Sequence, residues 1–536
     1  MSLANRTSHR WWLAIPAVVL LVVLLVLFSG AAYLYFRPQY LEARVRRGVT
    51  QALEEHFRSK VELADLHIKV LPRLQVTGHD LTLRYHGRND VPPLIRIASF
   101  SFFGGLLSLF RPVTHIPLLY LEDLQITIPP HDPTASKAQE TKPSVTQNIM
   151  NLVIDRVVCE HAVIRILPRQ SAKAPLDWEI HNLILNSASA SQPLQFHGNL
   201  TNAKPIGEID THGQFGPWNA DDPGGTPVIG EYQFTNADLT PLPGIGGILS
   251  SSGKYAGVLA QLEVDGVTDT PDFSLDTIGS PVPLHTEFSA TVNGTNGDTQ
   301  LHPVNAILAR SLIIAEGSVE GVTGAQGHLI SINASVPNGR IQDFLKLATR
   351  SEKPALSGPV KITAKLIVPP GKERVLEKIS LDGQFGVEGG SWSNPAMRGK
   401  LESLSRRALG KPQKEDAGSA VTDLQGDFFI RNGVLHFRNL TFRVEGATVR
   451  LAGSYALREG ELDLTGQLTL QARLSQTVTG SKSLFLKPFD TFFEKKGAGA
   501  VLPIRISGTR DNPVFGVSVF HKSFEKPLKP DNGTPR

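Results

Sequence analysis

Cysteine is almost missing from these 536 residues. Cys159 stands alone, which excludes an intrachain disulfide and any metal site built on paired thiolates. A strong charge of either sign is missing too. The 54 Lys and Arg are interspersed with 50 Asp and Glu, for a net charge of +4, the balance of a solvated surface rather than of a nucleic-acid binder. Catalytic motifs are also lacking. "GGILSSSGKY" has Ile248 where a phosphate-binding loop needs glycine, and Tyr255 where Ser or Thr should follow Lys254. No G-x-S-x-G elbow occurs. In "CEH" (Cys159 to His161), neighbouring strand residues point to opposite faces and do not converge on a metal. The 16 histidines lack the spacing of a zinc-binding helix. The expectation is a protein that is not an enzyme and uses neither metal nor cofactor.

Glycine (48) and proline (37) are plentiful, as in a turn-rich β protein. One long apolar run is present, "WWLAIPAVVLLVVLLVLFSGAAYLYF". No Asp, Glu, Lys or Arg occurs from Trp11 to Phe36, and at ~1.5 Å per residue a helix of that run spans a bilayer core. Trp11, Trp12, Tyr33 and Tyr35 stand where interfacial aromatics belong. A retained transmembrane anchor is expected over a cleaved signal peptide, whose apolar region is shorter. Arg6 and Arg10 precede the run, and Arg37, Arg44, Arg46 and Arg47 follow it. Charge counting alone would keep the body cytoplasmic, but large domains translocate with little regard to charge.

After the span, Leu41, Val45, Val49, Ala52, Leu53, His56 and Phe57 predict an amphipathic helix. The period then changes to two. Short strands follow, with "FFGGLLSLF" (Phe102 to Phe110) read as a short helix and "HDPTASKAQETKPSVTQ" as an exposed polar loop. Helices are expected at Ile341, Phe344, Leu345, Ala348 and at Met397, Leu401, Leu404, Ala408. "GVTDTPDF" at Gly266 and "GTRDNPVF" at Gly508 share Gly, Asp, Pro and Phe at one spacing, and "GQFG" occurs at Gly213 and Gly383. These suggest a duplicated β unit.

The last third alternates most regularly. Asn432-Gly433, Glu445-Gly446 and Glu459-Gly460 punctuate it, and Asn-Gly is a strong hairpin signal. In "ELDLTGQLTLQARLS" the even positions are apolar apart from Gly466, and the odd ones are polar. The predicted product is an antiparallel meander with one oily face. That face, carrying Leu440, Phe442, Val449, Leu451, Leu462, Leu464, Leu468 and Leu470, either packs as an ordinary core or lines a groove for acyl chains. In "SLFLKPFDTFFEKKG", Phe485, Phe489, Phe492 and Phe493 recur at near-helical spacing beside Lys487, Lys495 and Lys496. They form either a cap on the sheet or a tip that touches a membrane or a partner.

The stretch from "LQGDFFIRNGVLHFRNLTFRVEGATVRLAGSYALREGELDLTGQLTL" through "SQTVTGSKSLFLKPFDTFFEKKGAGAVLPIRISGTRDNPVF" resembles the C-terminal region of the AsmA-like family of Gram-negative envelope proteins. "VPPGKERVLEKISLDGQF", "LESLSRRALG" and "VNGTNGDTQLHPVNA" fit the same family, and "VELADLHIKVLPRLQVTGHDLTLRY" resembles its chorein-like start. Together these cover most of residues 11–520 and are weakest over 150–260. The resemblance implies an inner-membrane anchor, a body in the periplasm, and a groove of repeated β units related to bridge-like lipid transfer proteins. It implies no catalytic residue.

The resulting expectation is a mostly β chain with one N-terminal transmembrane helix, followed by an elongated, curved antiparallel β-groove with a few short amphipathic helices. Its parts would be the anchor segment 1–36, a chorein-like region 37–130, a polar loop 131–149, a middle groove region 150–400, the AsmA-like C-terminal region 401–520 and a flexible tail 521–536. Its expected partners are membrane phospholipids, the inner membrane and an outer-membrane or envelope protein, with no nucleic acid. The rival expectation is an envelope scaffold or assembly factor with a closed, dry β core.

Overall fold

The computed structural model describes residues 38–527 except 58, 70–73, 85–91, 105–112, 129–150, 168–175, 189–192, 204, 218–224, 243, 259–260, 276–278, 295, 323, 326, 349–352, 415–417, 495–498, 510–511 and 520–521. The expected anchor and the polar loop lie outside the described residues. Among the described residues, no helix is long and apolar enough to cross a membrane. The described residues are mostly β, 66% of them in strands, with five helices: α1 (Pro38–Phe57), α2 (Ile341–Ala348), α3 (Val375–Lys378), α4 (Pro395–Ala408) and α5 (Ser481–Phe493). The chain divides into two compact units, residues 1–201 with 210–230, and 202–209 with 231–536.

In the first unit, α1 packs beside the strand Lys60–Lys69. That strand pairs along one edge with Leu74–Arg84. Along it, Glu42 Oε1 accepts from the Ile68 amide at 3.2 Å and Glu54 Oε1 from the Val61 amide at 3.1 Å. The Arg46 guanidinium donates to the Leu63 carbonyl. The helix therefore satisfies backbone groups that a bare sheet edge would leave open to pairing with another chain. Val61 and Leu63, then Leu66 and Ile68, are buried; the period-two alternation slips by one residue at Ala64 and Asp65, beside Asp80 of the paired strand, which takes a positive φ of 49°.

The expected antiparallel order fails here at three pairings, one of them Val113–Ile116 running parallel to Asn151–Cys159. Leu119–Ile128 runs parallel to Ala162–Ile166, with Leu124 opposite Ala162. It also runs parallel to part of Asn151–Cys159. A parallel pair needs a connection of a dozen or more residues, and the sequence has room for one between Ile128 and Asn151. "FFGGLLSLF" also departs from expectation. Phe102 to Gly104 close the strand Ile95–Gly104, where Phe102 is buried; the rest of the motif lies outside the described residues.

In the second unit, successive strands from Ile248–Val258 to Lys522–Pro527 form an antiparallel meander. Among the described residues of this meander, the two-residue pieces Ile245–Gly246 and Leu356–Ser357 pair out of turn. Asn432 and Gly433 both take positive φ, 52° and 74°, the conformation a two-residue hairpin demands. Lys522–Pro527 pairs with Asn512–Val519, so the expected tail begins with a strand. The suggested repeat does not hold as a structural unit. "GVTDTPDF" lies inside the single strand Gln261–Leu275, whereas "GTRDNPVF" starts at the end of Ala500–Thr509 and finishes in the next strand.

Candidate functional site

The strand Glu461–Leu470 keeps the alternation expected of it. It stops at Leu470 although the apolar pattern runs on to Leu474. The Ala472 amide donates instead to the Ala408 carbonyl at 2.8 Å, and Leu474 opens a short 3-10 turn. Register places the eight predicted groove residues on one face. Leu440 lies opposite Leu451, Phe442 opposite Val449, Val449 opposite Leu468 and Ala447 opposite Leu470. Directly opposed residues of an antiparallel pair share a face. The other face is wet. Arg438 grips Asp382 with two hydrogen bonds of 3.2 and 2.6 Å, Arg505 meets Asp463 at 3.1 Å, and His285 meets Asp269 at 2.6 Å.

The apolar face is not uniform along the strands. At one end it is covered. Leu401 and Ala408 of α4, Phe493 of α5, and Val444, Ala447, Leu470 and Ala500 form a buried cluster, with Phe442, Leu468 and Trp392 packed against it. A second cluster joins Leu356, Val360 and Val387 to Ile341, Phe344 and Leu345 of α2, and Trp392 touches this one as well. Three of the groove assignments thus change character. Leu470 is core, 4% exposed, and Phe442 and Leu468 lean on that core. At the other end Ile430, Leu435, Tyr455 and Leu462 are only partly buried. Leu451 and Leu464, in mid-strand, are buried.

The covering helices are fixed by polar contacts. Asn394 caps α4, accepting from the amides of Ala396 (2.8 Å) and Met397 (3.3 Å), with Pro395 at the first helical position. Buried Ser405 donates to the Glu445 carbonyl at 2.7 Å and accepts from the Ser419 amide. Trp392 donates its indole N–H to Thr422 Oγ1 at 3.0 Å. On α5, Asp490 accepts from the amide and hydroxyl of Ser475 at 2.8 and 2.6 Å, and Ser483 donates to the Ser475 carbonyl. Phe493, expected with the exposed tip, is instead the anchor of α5, 6% exposed. Phe485, Phe489 and Phe492 remain outside at 77%, 42% and 62%.

One device of the sheet is not visible in the period-two pattern. Glycines and aromatic rings oppose each other across the apolar face: Gly266 with Phe288, Gly383 with Phe428, and Gly426 with Phe385. A Cβ on Gly426 would lie 2.9 Å from the Phe385 ring, and one on Gly383 2.9 Å from the Phe428 ring. Rings laid over glycines let neighbouring strands close in while apolar contact is kept. At Gly453 and Gly466 a Cβ would run into the Asp463 and Arg450 carbonyls, and these glycines sit opposite buried Leu464 and Leu451. The signal was present in "GQFG": Gly383 lies under Phe428 while Phe385 covers Gly426.

Chemically the surface offers apolar contact and little else. Among the described residues, no group of His, Cys, Asp or Glu is placed to hold a metal. Cys159 is buried, and burial pushes its thiol pKa up, which makes it a poor nucleophile. Compared with known proteins, the chain matches no family model, and no curated protein matches it.

Proposed function

We propose that this chain is a membrane-anchored, non-enzymatic β-groove protein of AsmA-like type. Its apolar face would hold or conduct phospholipid acyl chains between the inner and outer membranes, with the body in the periplasm. One observation carries the reading. Ile430, Leu435, Tyr455 and Leu462 stay only partly buried, directly opposite one another at one end of four successive strands. An apolar surface of that kind calls for an occupant. Acyl chains suit it because each buried CH₂ contributes about 0.8 kcal/mol. A tail moving from bilayer to groove exchanges one apolar medium for another at near-zero net cost. Head groups would stay in water, and a gradient or another protein would set the direction of flux.

The second reading, an envelope scaffold with a dry β core, draws on the buried cluster beneath α4 and α5. Photo-crosslinking separates the two. A photoreactive residue at Leu462 should capture phospholipid, and one at Leu470 should capture protein only. Lipid-free protein on extraction, with no lipid adduct at Leu462, would leave the scaffold reading standing.

A further inference from the structure

The outer face of α5 has no part in the lipid-holding surface. At 100° per residue, Leu484, Phe485, Pro488, Phe489 and Phe492 fall within an arc of about 140°. Leu484 is 65% exposed and Phe485 77%. The opposite arc holds the helix down through Phe493, Asp490 and Ser483, and Arg473 meets Glu494 at 3.3 Å just beyond the helix end. The aromatic side chains are therefore carried outward by a helix fastened on its other side.

Charge on α5 is equally one-sided. Exposed Lys482 and Lys487 flank the aromatic arc. The helix's one acidic residue, Asp490, faces inward and is engaged by Ser475. An apolar stripe bordered by lysines alone is complementary to anionic head groups above acyl chains. Pro488 also has no N–H to offer the Leu484 carbonyl. That group needs water, which the head-group region provides and the hydrocarbon core does not.

We propose that α5 docks flat on a bilayer surface rich in anionic phospholipid, inserting Leu484, Phe485 and Phe489. The docking does not require the sheet to carry lipid. The test uses the full chain held by its N-terminal segment in neutral phosphatidylcholine nanodiscs, with Cys159→Ala and an environment-sensitive dye on Leu484→Cys. Added phosphatidylglycerol vesicles should shift the dye emission to the blue, and brominated acyl chains in those vesicles should quench it. Phe485→Ser with Phe489→Ser should weaken vesicle binding more than tenfold. Lys482→Gln and Lys487→Gln should each weaken it about fivefold, on anionic vesicles only. A dye that stays water-like with both vesicle types, or shifts equally with neutral ones, overturns the proposal. So does a shift that requires added envelope protein. Phospholipid bound to the same purified protein is counted separately by mass spectrometry, so docking without carried lipid, or carried lipid without docking, tells the two readings apart.

Discussion

The strands Val434–Val444, Ala447–Ala456 and Glu461–Leu470 share one apolar face, kept across a register shift between Phe437 and Leu440, yet its two ends are different materials. Around Val444, Ala447 and Leu470 the face is sealed beneath α4 and α5. Around Leu435, Tyr455 and Leu462 it is only partly buried. Alternation dictates which side chains share a face, and only the tertiary cover decides whether that face is dry. The strongest break in the comparison is a carboxylate placed at each end. Leu470→Asp buries an unpaired charge in a packed cluster, which must shift its pKa or disrupt the packing. It should cost several kcal/mol and leave little folded protein. Leu462→Asp can hydrate its carboxylate, so it should fold and melt close to the parent while losing bound lipid. Leu468→Asp, against the cluster but partly exposed, should fall between them, and Thr469→Asp is the control. Expression, thermal melting and lipid content measure all four. Equal collapse of Leu462→Asp and Leu470→Asp would erase the distinction between the ends.

The same contrast holds within α5. Phe493→Ala empties a site in the cluster and should cost about 3–5 kcal/mol. Phe485→Ala removes a ring already in solvent and should change stability by less than about 0.5 kcal/mol. Denaturant midpoints of the two variants test this. Similar losses would mean that the outer face of α5 is covered as well.

Glycines supply a third contrast of smaller size. Gly426→Ala drives a methyl toward the Phe385 ring and should cost about 1–3 kcal/mol, the usual penalty of overpacking. Gly399, exposed on α4 with nothing within 4 Å of its would-be Cβ, should respond in the opposite sense, with Gly399→Ala stabilising by roughly 0.5–1 kcal/mol. Thermal melts that move in the same direction would sink the idea that the ring over Gly426 sets the sheet's geometry there.

These contrasts also mark what could be read from residues alone. Period-two strands, the Asn432-Gly433 turn and the helices around Phe344 and Leu404 were legible because each is written within a dozen neighbouring residues. The cover over Leu470 was not, since Leu401 and Phe493 reach it from distant parts of the chain. The rings over glycine were hidden for the same reason: Phe385 and Gly426 sit on different strands. The end of the strand at Leu470 escaped detection because Ala472 and Leu474 continue the oily pattern for a different purpose, with Leu474 packing on the cluster instead of extending the sheet. Phe493 was grouped with its exposed neighbours because spacing alone does not tell the fastened side of a helix from the free one.

The wet face yields the smallest expected effect. The Arg438 guanidinium, hydrogen-bonded to Asp382, holds that carboxyl below its ordinary range. Both side chains are about half exposed, so solvent and salt screen the pair. A carboxylate whose pKa is depressed in the folded state stabilises the fold above its unfolded pKa, near 3.9. That contribution is lost as pH falls through the lower folded value. Arg438→Gln should therefore melt slightly below the parent at pH 7 and in low salt. The gap should begin to narrow as pH falls below about 4 and close only below the lower folded value, where Asp382 is protonated in both proteins, and it should shrink in high salt at neutral pH. Arg438 also lies over the Phe429 ring at 4.6 Å from its centroid, a contact that does not depend on Asp382's charge. A gap that persists unchanged at low pH would assign the role of Arg438 to that ring, and the wet face would then be held by packing as well as by charge.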